Sequence, residues 1–274
     1  MYSRVYVEIT NICNMHCSFC HGHSRPFRQL QRQEFAQILE QLAGKTQYIY
    51  YHLMGEPLTH PQLPSFLAMA KEAGFRSVLT TNGTLLHRAG PDLLAAGLHK
   101  VSISLHSFEE GTAQEHEIYL RRCADFAREA ASAGVLVSFR LWNKGCDGGQ
   151  NENTLGLLQK FLPGEWVENT RGYRIQDRVF LEWGDRFGWP DAQGADLGDR
   201  VYCYGLKDHF GILCDGTVVP CCLDSDGVIA LGNVFSQPLE EILASDRCEA
   251  IREGFRRRQA AEDLCRRCPY ARKF

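Results

Sequence analysis

Over its first two thirds the chain alternates short runs of β-branched and aromatic residues with longer stretches whose apolar positions recur every three to four residues. The short runs, at 5–10, 48–53, 77–80, 100–105, 135–141 and 178–183, read as strands. The longer ones, at 32–43, 63–73, 88–96, 113–133 and 153–161, read as helices. Gly44, Gly74, Gly97 and Gly134 stand near helix ends, where glycine stops a helix by adopting a left-handed conformation. This alternation predicts βαβ units around a parallel sheet, and six such strands suit an α/β partial (β/α)6 TIM-like barrel. A doubly wound sheet fits the same pattern.

A Gly/Asp-rich stretch at 189–199 changes the texture. Beyond Val201 the chain is rich in cysteine, glycine and turns, with one amphipathic helix around 239–257. The expected division is a barrel unit over 1–190 and a small second unit over 200–274, too small to hold together without help such as metal. No internal repeat or low-complexity tract is present.

The 274 residues, 44% of them hydrophobic, supply a sizeable core. A net charge of −3 gives no general attraction to nucleic acid or anionic lipid. No apolar run approaches the roughly 20 residues needed to span a bilayer, and the first residues do not lead into a secretory apolar segment. The expectation is a cytoplasmic protein with neither membrane nor nucleic-acid partners. Twelve cysteines in such a chain argue for metal or redox chemistry over a disulfide framework.

Three of them follow the first strand in the C-x3-C-x2-C run Cys13, Cys17 and Cys20. A [4Fe–4S] cube usually takes four thiolates, so three leave one iron open to a non-protein ligand. Three thiolates plus water would also suit zinc. Other unusual sequences fall after later strands, where parallel barrels gather their chemistry: Met54-Gly55-Glu56-Pro57, Thr81-Asn82-Gly83, Ser104-Leu105-His106 and Glu182-Trp183-Gly184-Asp185.

On these motifs, residues 4 to 185 resemble the radical SAM superfamily, whose members bind S-adenosylmethionine (SAM) at the open iron. The resemblance makes Cys13, Cys17 and Cys20 the cluster ligands and puts Phe19 near the adenine. It makes Gly55, Glu56 and Pro57 the loop along the methionine part of SAM, with Met54 replacing the family's first glycine. Glu56 is then either an acceptor near the SAM ammonium or a buried brace. Ser104 matches a position that contacts SAM, and is otherwise a solvated strand-end hydroxyl. His106 stands where relatives often carry Asp, and Asn82 also suits turn chemistry. Arg121 and Arg140 are both candidates for a fork on the SAM carboxylate.

Cys203, Gly216, Cys221, Cys265 and Cys268 form a C-x12-G-x4-C…C-x2-C arrangement resembling the twitch domain, a shortened SPASM domain. That resemblance implies an auxiliary [4Fe–4S] cluster on Cys203, Cys221, Cys265 and Cys268, and leaves out the further cysteines of a full SPASM domain. Cys214 and Cys222 are spare, and the pair Cys221-Cys222 leaves the third ligand open by one residue; the Gly216 spacing favours Cys221. A zinc ribbon would also use four such cysteines. Cys123, Cys146 and Cys248 read as buried small apolar residues, although the glycine-rich loop around Cys146 could present it to substrate. Arg256, Arg257 and Arg258 read as a solvated helix face.

The resemblance implies an enzyme that reductively cleaves SAM and lets the 5′-deoxyadenosyl radical abstract hydrogen from a substrate. The substrate is a peptide or protein side chain, or a small metabolite such as an alcohol or sugar, with Glu182, Trp183 and Asp185 the candidate pocket. Phe187 and Trp189 extend that cluster. Implied partners are a one-electron donor such as ferredoxin or flavodoxin and, for a peptide substrate, a separate leader-recognition protein. The competing class is a non-catalytic iron–sulfur or zinc redox-sensing protein. Iron and sulfide analysis, followed by dithionite and SAM, separates the two.

Overall fold

The computed structural model describes residues 1–273. Strand alternation organises it. In β1 (Arg4–Val7) the side chains of Val5 and Val7 are fully buried beneath helices, while Arg4 and Tyr6 turn to the opposite face. The same two-residue period runs through β2 (Tyr48–Tyr50), β3 (Arg76–Thr81), β4 (Lys100–Ser104) and β5 (Leu136–Lys144). Their outer face, with Ile49, Leu79, Val101, Ile103, Val137 and Phe139, packs under helices α1 (Arg32–Leu42), α2 (Leu63–Glu72), α3 (Leu86–Ala95), α4 (Ala113–Ser132) and α5 (Gln150–Phe161).

A hairpin of β6 (Val167–Asn169) and β7 (Gly172–Gln176) precedes β8 (Val179–Asp185), the sixth parallel strand. The parallel strands run β1-β2-β3-β4-β5-β8, each laid beside its predecessor without reversal. A doubly wound sheet needs a reversal of direction. The fold is therefore a partial barrel, with the hairpin on one edge of the sheet.

The cysteine-rich segment continues the same sheet on the other edge. Strand β9 (His209–Ile212) pairs parallel with β1, followed by antiparallel β10 (Thr217–Val219) and β11 (Gly232–Asn233). The single helix expected over 239–257 is two, α6 (Leu239–Leu243) and α7 (Asp246–Arg256). Ser245 separates them: its side chain accepts from Cys248 N, so it caps a new helix instead of continuing the old one. Helix α8 (Asp263–Arg266) carries Cys265. The 189–199 stretch has no helix or strand, but Leu197 N donates to Arg266 O and holds it against α8.

Candidate functional site

The three-cysteine run lies in the loop between β1 and α1, at the ends of the parallel strands. Each neighbouring strand end holds it. Cys17 Sγ lies 3.6 Å from Ser107 O after β4, and Ser18 Oγ donates to Glu109 at 2.6 Å. Asn82 Nδ2 donates to Asn14 Oδ1 at 3.0 Å after β3. Trp189 Nε1 donates to Phe19 O at 3.0 Å, and Arg186 reaches Ser18 O after β8. The Phe19 ring stands against His106, 4.9 Å between centroids, and the Arg186 guanidinium lies 5.9 Å from the same ring.

Gly55 shows why the second position of the Met54-Gly55-Glu56-Pro57 motif must lack a side chain. Its φ is +76°, and a Cβ there would sit 2.4 Å from Thr10 O, in the backbone that leads into the cysteine loop. Glu56 N donates to Ile12 O at 2.9 Å, so the two motifs are in direct backbone contact. The Glu56 carboxylate is buried and accepts three bonds, from Leu58 N (3.0 Å), Thr81 Oγ1 (2.7 Å) and Asn82 N (2.7 Å). Burial, only partly offset by these donors, raises its pKa to about 7. Pro57 opens the short turn Pro57–Thr59 that follows.

Glu8, just past β1, was not legible as a functional residue. Its carboxylate is fully buried and accepts from Arg25 Nη2 (2.8 Å), Met54 N (3.1 Å) and Cys214 N (3.2 Å). One side chain thus joins the cysteine loop, the Gly-Glu-Pro loop and the C-terminal segment.

Opposite the helices, the inner face of the sheet is polar. Ser104, Arg140 and Glu182 are in register across β4, β5 and β8, and the Arg140 guanidinium lies 4.5 Å from the Trp142 ring centre. His106 Nδ1 donates to Arg140 O at 3.0 Å. Of the three β8 residues expected to line a pocket, only Glu182 has this orientation. Trp183 is one residue on, so it turns to the other face and packs on the hydrophobic core, and Asp185 is exposed at the strand end. Arg121 stands outside the arrangement, because α4 directs it to Glu117 (3.4 Å) and over the Phe161 ring (4.5 Å). A cavity of about 230 Å³ at the strand ends is lined by Phe19, His106, Trp142, Cys146 and Arg186 among others, which brings Cys146 to the cysteine loop.

The twelve cysteines are free thiols. Cys17 is pushed up to about 11 by burial, with Glu109, Cys13 and Cys20 adding to the rise. In the C-terminal segment burial raises Cys203 to about 11, with Cys268 and Cys222 contributing. Burial also raises Cys221 and Cys265, and in both the nearby Cys203 adds to it. Cys222 also meets Tyr6, Arg4 and Arg140 on the inner face of the barrel, whereas Cys221 lies near Cys203 and Cys265. No three His, Cys, Asp or Glu side chains among the described residues gather as a site for a metal ion. The donor chemistry is nevertheless that of iron–sulfur ligation: two all-thiol sets whose mutual repulsion as thiolates a cationic iron core relieves. Cys123 and Cys248 are fully buried, as expected of small apolar residues, and Cys214 is buried beside Glu8 and Arg25. No helix of the described residues is long and apolar enough to cross a membrane.

Residues 7–140 match the sequence model of the Radical SAM superfamily, and residues 203–269 match that of an iron–sulfur cluster-binding domain, SPASM. GTP 3′,8-cyclase of Chlorobaculum tepidum is 35% identical over 109 residues, 38% of this chain and 33% of that enzyme. The chain thus matches about a third of the length of that curated relative. Among solved structures, BtrN in complex with AdoMet and 2-DOIA superposes with a TM-score of 0.58 at 18% identity, covering 98% of this chain and 93% of that one. Streptococcus suis SuiB bound to the precursor peptide SuiA gives 0.56 at 13% identity, over 98% and 71%.

Proposed function

As the chain belongs to the radical SAM superfamily and carries a C-terminal iron–sulfur cluster-binding domain, we propose that it reductively cleaves SAM and uses the product to abstract hydrogen from a bound substrate. The observation that carries this reading is the direct backbone contact between the three-cysteine loop and the Gly-Glu-Pro loop, through Gly55 and Glu56. When bound, a [4Fe–4S] cluster with SAM supplies the electron and the carbon radical; the protein positions and shields.

Cys13, Cys17 and Cys20 hold the first cluster. Phe19, Gly55, Pro57 and Ser104 line the SAM position, with Glu56 bracing the loop to the end of β3. Arg186 and Trp189 fasten the loop from the far strand, which restricts water around it. Cys203, Cys221, Cys265 and Cys268 hold the auxiliary cluster. In this reading residues 1–190 generate the radical, and residues 200–274 accept an electron from the substrate or help to bind it. An external one-electron donor such as ferredoxin or flavodoxin supplies the reductant, and a reducing, cytoplasmic compartment keeps the ligating cysteines in the thiol state that cluster assembly needs. Both a small-molecule and a peptide substrate suit this reading, since the similar structures include BtrN in complex with 2-DOIA and SuiB bound to the precursor peptide SuiA.

The test is anaerobic reconstitution with iron and sulfide, then dithionite and SAM. Release of 5′-deoxyadenosine by the parent protein and its loss in Cys17→Ala are expected. Unchanged release by Cys17→Ala overturns the assignment.

A further inference from the structure

The described residues include eight buried side-chain nitrogen or oxygen atoms without a hydrogen-bond partner, and all but His23 Nδ1 belong to one surface. Arg4 Nε, His209 Nδ1, His52 Nδ1, Thr80 Oγ1, Ser102 Oγ, Ser138 Oγ and Arg140 Nε come from six consecutive strands or their ends, on the face turned away from the helices. Thr80, Ser102 and Ser138 are neighbours in register across β3, β4 and β5, so their hydroxyls form a row. Ser102 and Ser138 are almost wholly inaccessible, at 0% and 1%. Native interiors rarely leave polar groups unpaired, and a set concentrated on one face points to something that pairs with them.

The charge on this face is uneven. Apart from the Glu8–Arg25 pair, its covered part carries the cations Arg4, Lys100 and Arg140, with Glu182 the carboxylate that faces Lys100 and Arg140. His52 and His209 stay neutral there: burial first, then Arg140 and Arg4 for His52 and Arg4 for His209, depress them to about 3 and about 4. The surplus is positive, and it lies beside hydroxyls able to donate or accept.

Resting on the reading that this chain acts on a bound substrate, we propose that the inner face binds a small, hydroxyl-bearing oxyanion. Its carboxylate or phosphate pairs with Arg140 and Arg4, and its hydroxyls pair with Thr80, Ser102 and Ser138. Arginine suits the first task because its planar fork meets two oxygens at once. Trp142 over Arg140 and Tyr6 beside Arg4 hold both guanidinium groups against aromatic rings, so they are preorganised.

Calorimetry on the anaerobically reconstituted, SAM-loaded protein tests this with inorganic phosphate, succinate, sn-glycerol 3-phosphate and glycerol as probes. Phosphate or succinate should bind, and the tighter of the two names the anionic group. Arg140→Met should weaken that binding roughly tenfold or more, Arg140→Lys should restore part of it, and glycerol should not bind. Glycerol 3-phosphate should bind about threefold or more tighter than phosphate, an advantage that the double variant Thr80→Val, Ser138→Ala removes. The proposal is overturned if neither anion binds, if Arg140→Met binds as the parent does, or if Arg140→Met loses SAM affinity to the same degree as anion affinity. Anion binding by a sample that releases no 5′-deoxyadenosine would overturn the radical reading and leave this one standing.

Discussion

Glu8 and Arg25 meet at 2.8 Å, with the Glu8 side chain wholly inaccessible and that of Arg25 11% exposed. Removing one partner of a buried pair leaves the other uncompensated, at a cost of about 3–5 kcal/mol. Glu8→Ala should lose stability of that order and also loosen Met54 and Cys214, whose amides it receives. A urea titration followed by circular dichroism measures this, and a change under about 1 kcal/mol would show the pair to be dispensable.

Gly55→Ala should damage the cysteine loop more than the fold. A left-handed non-glycine residue costs roughly 1–3 kcal/mol, and here the added Cβ also runs into the Thr10 carbonyl. Iron bound per chain after reconstitution should fall while far-ultraviolet dichroism stays near that of the parent.

Glu56 carries a pH signature. Its folded pKa of about 7 lies above the ordinary 4.5, so between these values the native state holds a proton that the unfolded chain has released. Stability contributed at this site is therefore lost as pH rises from about 4.5 through about 7, by about 3 kcal/mol in all. Glu56→Gln should flatten that slope in thermal melts between pH 5 and pH 8. A slope unchanged by the substitution would assign the pH dependence elsewhere.

The two adjacent cysteines should behave differently. Cys221→Ser should lower the iron content towards that of one cluster, because Cys221 lies with Cys203 and Cys265. Cys222→Ser should retain the iron of both, since Cys222 faces Tyr6 and Arg140. Equal losses in iron analysis would contradict this division.

Arg121→Ala should leave SAM affinity within about twofold and cost less than about 1 kcal/mol, the range of exposed ion pairs. Its side chain is 54% exposed and engaged with Glu117 and Phe161, away from the strand ends. A tenfold weaker SAM affinity by calorimetry would return Arg121 to the binding site.

The local part of this architecture was legible because period and punctuation are local signals. The parallel strands fall where the short apolar runs lie, and Cys13, Cys17 and Cys20 follow the first of them as their spacing implied. What the sequence concealed depends on partners far apart in the chain. Nothing beside Glu8 marks it as the acceptor of an amide 206 residues away. The placement of β9 against β1 is equally non-local. The polar inner face was visible in principle, since Lys100, Ser102 and Ser104 alternate with Val101 and Ile103. Alternation identifies two faces but does not say which one closes into a barrel. Trp183 illustrates the same point, because a cluster of adjacent aromatic and acidic residues on a strand is split between its two sides.

Strand β9 also governs how the two halves can be studied apart. Cutting the chain near residue 200 would strip β1 of a four-residue backbone ladder, from Arg4–His209 to Val7–Ile212. That cut exposes a row of unsatisfied amides and carbonyls, a template for pairing with another molecule. An isolated N-terminal fragment should therefore self-associate into insoluble material, because β9 serves as a seventh parallel strand of the barrel's own sheet.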